Sequence, residues 1–161
     1  MTNDSLTQAC AVLDPLDCQQ CPRLSDFLRS VKIKYPEYHA RPVSAFGDID
    51  PKLLIVGLAP GMHGANRTGR PFTGDYAGIL LYQTLHKFCF ATRHESLSAD
   101  DGLQLTGCRI TNAVKCLPPE NKPIPTEIKQ CNQYLVTEVK AFMQNGGVAL
   151  LALGTVAHQA V

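Results

Sequence analysis

The sequence lacks an excess of positive charge, an apolar N-terminal segment and any apolar run long enough to span a membrane. Fifteen lysines and arginines stand against fourteen aspartates and glutamates, so the formal net charge is only +1. A whole-chain basic character for nucleic-acid binding is therefore absent, and any such binding would need a local basic surface. Because residues 1–8 are polar, no secretory signal is visible, and we expect a cytoplasmic protein that does not enter membranes.

Internal repeats and low-complexity tracts are also missing, and hydrophobic residues make up 45% of the chain against 18% charged residues. This composition argues against disorder and suits one folded domain that covers residues 1–161. Seven cysteines without a signal peptide argue against a disulfide framework. In a reducing compartment such thiols are buried, reactive or bound to metal, and the odd number means that not all seven act together.

Short apolar runs predict three strands, at residues 53–56, 108–114 and 148–153, each covered on both faces. Apolar residues at helical spacing predict helices at residues 76–88 and 125–144. The N-terminal helix and one loop are predicted at residues 16–31 and 42–51, respectively. The alternation of strands and helices predicts an α/β fold with a parallel sheet and right-handed crossovers.

Ligands bind to such sheets beyond the carboxyl ends of the strands, which directs attention to the long segment after the first strand. Residues 57–75 are small and polar, and loops of this length inside a domain are usually functional. Its glycines allow close approach to a ligand, and Arg67 and Arg70 would meet phosphates. The segment is not a nucleotide P-loop, because no Gly-Lys-Ser/Thr follows. The alternative is a glycine-rich surface loop with solvated arginines.

Four cysteines are the strongest candidates for a metal site. Cys18 and Cys21 have the two-residue gap that lets two thiolates face one metal, Cys116 follows a predicted strand, and Cys131 lies near the start of the next helix. Four thiolates suit structural zinc or a [4Fe–4S] cluster, and the spacing leaves both open. A redox pair at the first two positions and thiols that are merely buried are further interpretations. The other cysteines are predicted not to be ligands, the last two fitting core positions: Cys10, Cys89 and Cys108.

Several motifs together resemble those of a known family, the type B (family 5) uracil-DNA glycosylases of the uracil-DNA glycosylase superfamily. Its first signature corresponds to residues 57–75 and its second to residues 111–123. Residues 41–43 and 46–48 are similar to the family's approach to the first strand, and the resemblance runs from Cys18 to the last residue. It implies a three-layer fold in which helices sandwich the parallel sheet, and a [4Fe–4S] cluster on the four cysteines, with zinc as the alternative.

The resemblance also implies roles for individual residues. Phe72 would stack on a base that has left the DNA helix, and Asn112 would hydrogen-bond the edge of that base. Gly57 and Ala59 would contact the same base, and Asp75 would act as the base or orient the attacking water. Each larger side chain has a plainer interpretation: Phe72 as core packing, Asn112 as a turn residue, and Asp75 as a helix N-cap.

The family implies a monofunctional DNA-repair glycosylase that hydrolyses the N-glycosidic bond of uracil and other deaminated bases, with water as the nucleophile. Damaged DNA would be its partner, and we expect a monomer. The chain ends within an expected helix and lacks the family's final His-containing motif, so we expect the C-terminal part of the fold to be missing. The alternatives are a non-catalytic nucleic-acid-binding protein with a structural iron–sulfur or zinc site, and a cytosolic zinc or thiol-redox protein. Candidate phosphate contacts, with solvated surface charge as the alternative, are Arg67, Arg70, Lys115 and Lys122.

Overall fold

The computed structural model describes residues 14–161, which form a four-stranded sheet with helices on both faces. The strands are β1 (Phe46–Gly47), β2 (Leu53–Gly57), β3 (Cys108–Asn112) and β4 (Ala149–Ala152). The helices are α1 (Pro22–Lys34), α2 (Ala65–Thr68), α3 (Tyr76–Lys87), α4 (Pro125–Gln144) and α5 (Thr155–Ala160), and a 3-10 turn spans Pro119–Asn121. The strand order is β1-β3-β2-β4, with β2 parallel to both β3 and β4 and with β1 antiparallel to β3. The predicted α/β fold is confirmed.

Strand β2 divides the core between the two faces of the sheet, because successive side chains of a strand point to opposite sides. Leu54 and Val56 pack with Leu135 of α4 and with α5. Ile55 packs with Tyr82 of α3 on the other face. These two packed faces give the three-layer α/β/α arrangement, with α3 on one side of the sheet and α4 and α5 on the other.

Strand β4 is less buried than its sequence indicates. Its side chains alternate between exposed and half-buried, and Leu151 is 45% exposed. The prediction that this strand is covered on both faces was wrong, because Leu150 and Ala152 pack against α4 and α5 on one face while Leu151 points to the other. Leu151 and Leu153 line a cleft, and Leu153 also packs against the core cluster that contains Ile55.

The first cysteine pair lies in a turn before the N-terminal helix, not within a helix as predicted. Helix α1 begins at Pro22, whose missing N–H suits the first helical turn, and Cys21 is the N-cap residue. The Cys18 N–H donates to the carbonyl of Pro15 at 2.9 Å, which forms the turn. The predicted loop at residues 42–51 contains the short strand β1.

Among residues 14–161, no helix combines the length and the apolar character needed to cross a membrane. Two sequence predictions concern residues outside the described range: Cys10 as a cysteine that is not a ligand, and residues 1–8 as a segment without a secretory signal.

Candidate functional site

A cleft of about 650 Å³ opens where β2 and β3 end. Gly57 and Asn112, the last residues of these strands, are partners in the parallel register, so the loops that follow them start side by side. Four of the predicted site residues line the cleft: Ala59, Phe72, Asp75 and Asn112. The other lining residues are Leu58, Gly61, Ala65, Tyr76, Ala77, Leu80, Leu81, Thr84, Asn121, Leu151 and Leu153.

Asn112 lines this cleft with an amide oxygen that has no hydrogen-bond partner in the described residues. The residue is only 3% exposed, and its buried amide oxygen accepts no hydrogen bond from any residue in the described part of the chain. An unpaired polar group inside a protein costs about 1–3 kcal/mol. A turn-forming asparagine would bond with nearby backbone, which this oxygen does not do. The side chain is therefore available to a ligand in the cleft.

Gly57 supports this arrangement by having no side chain. A Cβ atom at this position would lie 2.5 Å from Oδ1 of Asn112 and 2.6 Å from Cζ of Phe72. Both distances are too short for non-bonded atoms, so only glycine allows the amide and the aromatic ring to approach each other here. Gly57 itself does not line the cleft, and its contribution is the space that it leaves.

Phe72 belongs partly to the core and partly to the cleft. One side of its ring packs against the buried cluster that contains Ile55 and Tyr82, and the residue also lines the cleft. Its backbone φ is 53°, a left-handed conformation that is uncommon for residues other than glycine and costs on the order of 1–3 kcal/mol. Such strain persists only where neighbouring contacts fix the backbone, and it clusters at functional sites.

Asp75 is the N-cap residue of α3. Its Oδ1 accepts a hydrogen bond from the Gly78 N–H at 2.8 Å, which confirms the capping interpretation. Its Oδ2 packs against the backbone of Gly64, where a side chain would collide with the carboxylate. One carboxylate oxygen is thus used by the helix, and the residue still lines the cleft. A role towards water stays a prediction.

The apolar wall of the cleft was missed from the sequence. Tyr76 is 90% exposed and Leu80 is 71% exposed, and both lie on the side of α3 that faces the cleft. The signal that could have shown this wall is the run of Ile79, Leu80 and Leu81, because three consecutive apolar residues cannot all face the core from one helix. Leu151 of β4 adds to the same surface.

The four predicted ligand cysteines line one small cavity, at the opposite end of the 112–116 segment from the cleft. Cys116 and Cys131 are buried, and Cys18 and Cys21 are half-buried. Leu24 and Tyr134 complete its apolar surroundings. Within residues 14–161, however, no three His, Cys, Asp or Glu side chains lie close enough together to hold a single metal ion. The four thiols nevertheless line the same cavity.

Burial raises the pKa of three of these thiols, those of Cys21, Cys116 and Cys131. It raises the pKa of Cys131 to about 11, although the N–H and the ammonium group of Lys115 act in the opposite direction. Burial and the neighbouring thiols raise the pKa of Cys116 well above its usual range. The pKa of Cys21 is raised by burial and by Glu127. Metal binding to these residues must therefore release protons.

The two cysteines predicted to be core residues differ. Cys108 is fully buried, as predicted, and burial raises its pKa to about 11. Cys89 is exposed, so the prediction that it fits the core was wrong. It follows the end of α3 with a φ of 63°, and the chain there has already left the packed face of the helix.

Lys115 is not a phosphate contact, which corrects the sequence prediction. The side chain is 1% exposed, and its Nζ lies 2.7 Å from Oε2 and 2.9 Å from Oε1 of Glu138. Thr111 completes the group, because its hydroxyl donates to Glu138 Oε2 at 2.7 Å. The backbone N–H of Lys115 also donates to Sγ of Cys131 at 3.3 Å. Lys115 thus connects β3 to α4 beside the cysteine cavity.

Arg70 is likewise buried and cannot reach a phosphate, so that prediction was also wrong. Its guanidinium lies 2.8 Å from Asp101 and 4.4 Å from the centre of the Phe46 ring. Burial alone would raise the pKa of Asp101, but hydrogen bonds from Arg70 and from three backbone N–H groups outweigh it and hold the pKa below its usual range. Arg70 therefore belongs to an internal network.

Arg67 and Lys122 are exposed, so their phosphate contacts stay predictions. The Lys122 side chain is 80% exposed, and its ammonium lies 3.8 Å from the equally exposed carboxylate of Glu120. At this exposure the pair contributes little, because solvent screens it.

Comparison with protein families matches residues 44–161 to the Uracil DNA glycosylase superfamily. The chain belongs to this superfamily. The match covers both loops at the carboxyl end of the sheet, and it confirms the family that the motifs resemble.

Proteins of this superfamily are similar in sequence to most of the chain. The type-5 uracil-DNA glycosylase of Thermus thermophilus is 44% identical over 147 residues, which cover 84% of this chain and 67% of that protein. The type-5 enzyme of Pyrobaculum aerophilum is 39% identical, with coverage of 91% and 65%. The type-4 uracil-DNA glycosylase of Archaeoglobus fulgidus is 31% identical, with coverage of 92% and 60%. The chain thus spans about two thirds or less of the length of these relatives.

Proposed function

We propose that this chain is a DNA-repair glycosylase that hydrolyses the N-glycosidic bond of uracil and of other deaminated bases in DNA. The observation that carries the proposal is the unpaired, buried amide of Asn112 beside Phe72 in a cleft at the carboxyl end of the sheet. The names of the relatives, type-5 and type-4 uracil-DNA glycosylases, support the same activity.

Base recognition follows from the chemistry of the cleft. A target base must leave the helix stack before an enzyme can act on it. Its edge presents hydrogen-bond donors beside acceptors, and an asparagine amide offers one group of each kind. Phe72 supplies an aromatic ring, on which a planar base stacks. Exposed apolar side chains such as Leu80 would be covered when the base or its DNA strand enters the cleft.

Stabilisation of the departing base is assigned to the loop after β2. Breaking the glycosidic bond places negative charge on the base, and backbone N–H groups aimed at such charge lower the barrier. Within the described residues, the N–H groups of Ala59 and Gly61 donate no hydrogen bond to another residue, and both residues line the cleft. They are therefore available to the base.

Asp75 is proposed to orient the attacking water with its second carboxylate oxygen. Leu58, the residue directly after Gly57, is apolar and lines the same cleft, so it gives water no hydrogen bond. Asp75 is the one acidic residue that lines the cleft of the described chain. The reaction is a direct hydrolysis, and the buried ion pair of Lys115 keeps that amine from acting as a nucleophile.

Release of free base from duplexes that contain one uracil or one hypoxanthine tests this proposal. We expect release from both, no release from a thymine duplex, and loss of activity in Asn112→Ala. Asp75→Asn separates the two roles of that residue, because asparagine also caps helices but carries no charge. We expect Asp75→Asn to keep the stability of the wild type and to lose activity. Absence of base release together with equal binding of damaged and undamaged duplexes would exclude the function, and a borohydride-trapped covalent adduct would exclude direct hydrolysis.

We further propose that Cys18, Cys21, Cys116 and Cys131 hold a [4Fe–4S] cluster. The donor set fits, because these four thiols line one cavity. One zinc ion is the alternative occupant, because four thiolates suit either a cluster or a single zinc. When bound, the cluster would supply a structural link between the turn before α1, the end of the 112–116 segment and α4.

Metal and sulfide analysis of the purified protein tests the cluster. We expect about four iron and four acid-labile sulfide ions per chain, with the broad visible absorption of such clusters. A colourless protein with one zinc ion per chain would contradict the cluster and favour a zinc site.

A further inference from the structure

Phe72 lies between Arg70 on one side and Thr73 and Gly74 on the other, and all three bond to one distant segment. On its N-terminal side, the buried guanidinium of Arg70 donates to Oδ1 of Asp101 at 2.8 Å, to Oγ of Ser96 at 3.0 Å and to the carbonyl of Ala99 at 2.6 Å. All three partners belong to residues 96–101, a segment outside both the cleft and the cysteine cavity. The N-terminal side of Phe72 is therefore fixed by this segment.

The C-terminal side is fixed by the same segment. The Thr73 hydroxyl lies 2.7 Å from the Ser96 hydroxyl, and the Gly74 N–H donates to the Ser96 carbonyl at 3.2 Å. The buried hydroxyl of Tyr82 donates to the carbonyl of Pro71 at 2.9 Å and so attaches the residue before Phe72 to α3. Ser96 is thus the common partner of residues on both sides of Phe72.

A buried polar network of this kind fixes geometry more than it adds stability. Removing Arg70 and Asp101 from water costs desolvation free energy, which offsets much of the attraction between their charges. Apolar side chains of similar size would stabilise the loop at least as much. What directional hydrogen bonds add is one defined backbone conformation. The backbone that they surround is that of Phe72, whose left-handed φ needs neighbouring contacts to persist.

We propose that Arg70, Thr73 and Ser96 are positioning residues that hold the Phe72 ring in its cleft-facing orientation. The inference rests on the proposed function, in which Phe72 stacks on the target base. None of the three lines the cleft, and they act through the backbone on each side of Phe72. Misplacement of a binding group by a fraction of a bond length is enough to slow an enzyme strongly.

The test uses the full chain labelled with 4-fluorophenylalanine, in which six phenylalanines give separate fluorine NMR signals. The Phe72 signal is assigned by its loss in Phe72→Leu. We expect Ser96→Ala to shift or broaden this signal, because one hydroxyl contacts both Arg70 and Thr73. Ser98→Ala is the matched control, since within residues 14–161 the Ser98 hydroxyl bonds with the exposed Asp100 and with nothing else. Arg70→Lys keeps the positive charge but loses the several N–H donors of the guanidinium group. It should therefore change the Phe72 signal as Ser96→Ala does.

Base release gives a second readout. We expect uracil release to slow roughly tenfold in Ser96→Ala and hardly to change in Ser98→Ala. An unchanged Phe72 signal in Ser96→Ala, or an equal change in Ser98→Ala, would overturn the inference. If the wild-type chain releases no base, the proposed function fails, but the fluorine signals still decide whether these residues position the ring.

Discussion

The cysteine cavity and the cleft place their functional groups in opposite ways. The cavity gathers four side chains from a turn, a loop and a helix into closed apolar surroundings. The cleft takes its polar groups from loops that begin at the ends of two neighbouring strands, and its wall is open. The cavity thus depends on the packing of distant elements, whereas the cleft depends on local backbone geometry. Residues 112–116 join the two, with Asn112 at the cleft and Cys116 at the cavity.

The largest effect is expected from Cys116→Ser. Loss of one thiolate should abolish stable cluster binding and, with it, much of the stability of the fold, because binding free energy at such sites is folding free energy. Iron content and thermal unfolding measure the change. Cys89→Ser is the control, since Cys89 is exposed and lies outside the cavity. Equal iron content in the two variants would show that the cavity is not the metal site.

Lys115→Met comes next, because this residue connects the two regions. It leaves the buried Glu138 carboxylate without a counter-charge, with only the Thr111 hydroxyl among the described residues still donating to it, and such losses destabilise a protein by about 3–5 kcal/mol. The double variant Lys115→Met/Glu138→Leu should recover much of that stability, since no charge is then left unpaired. Denaturant unfolding measures both. A double variant that is less stable than the single one would contradict this account of the pair.

Gly57→Ala should damage the cleft and spare the cavity. The added Cβ would collide with both Asn112 and Phe72, so we expect uracil release to fall by about 10²-fold or more, the range reported for losing one well-placed polar group. Iron content should stay that of the wild type. Loss of iron in Gly57→Ala would mean that the two regions are not separable.

The smallest effect is expected at the exposed basic residues. If Arg67 contacts a phosphate, Arg67→Ala should weaken DNA binding evenly across sequences and lower the salt slope by about 1. Lys122→Ala should have a smaller effect, because its ammonium lies beside Glu120. Binding titrations over a range of salt concentrations measure both. Lys52→Ala, at the other end of β2 from the cleft, is the control, and an equal change there would indicate general charge attraction only.

Sequence patterns were sufficient to predict structure where they reflect hydrophobic periodicity or a motif. The strands around Ile55 and Ile110 were predicted, and the cap at Asp75 was the alternative to its catalytic role. Asn112 and Phe72, which the resemblance places on one base, line the same cleft. Charged residues that are buried against partners far along the chain could not be predicted. The sequence around Lys115 and Arg70 reads the same whether their side chains face water or form a buried ion pair. Their partners Glu138 and Asp101 are 23 and 31 residues away. The exposure of β4 was missed for a similar reason, since an apolar run predicts a strand but not its neighbours.

The unpaired amide oxygen of Asn112 is proposed to receive the edge of the target base. Nitrogen-15 NMR of the side-chain amide of Asn112, assigned by its loss in Asn112→Ala, tests this directly during titration with uracil- and thymine-containing oligonucleotides of the same sequence. We predict a shift of this signal with the uracil strand and no comparable shift with the thymine strand. An Asn112 signal that stays unchanged while the uracil strand binds, or that moves equally with both strands, would contradict the account.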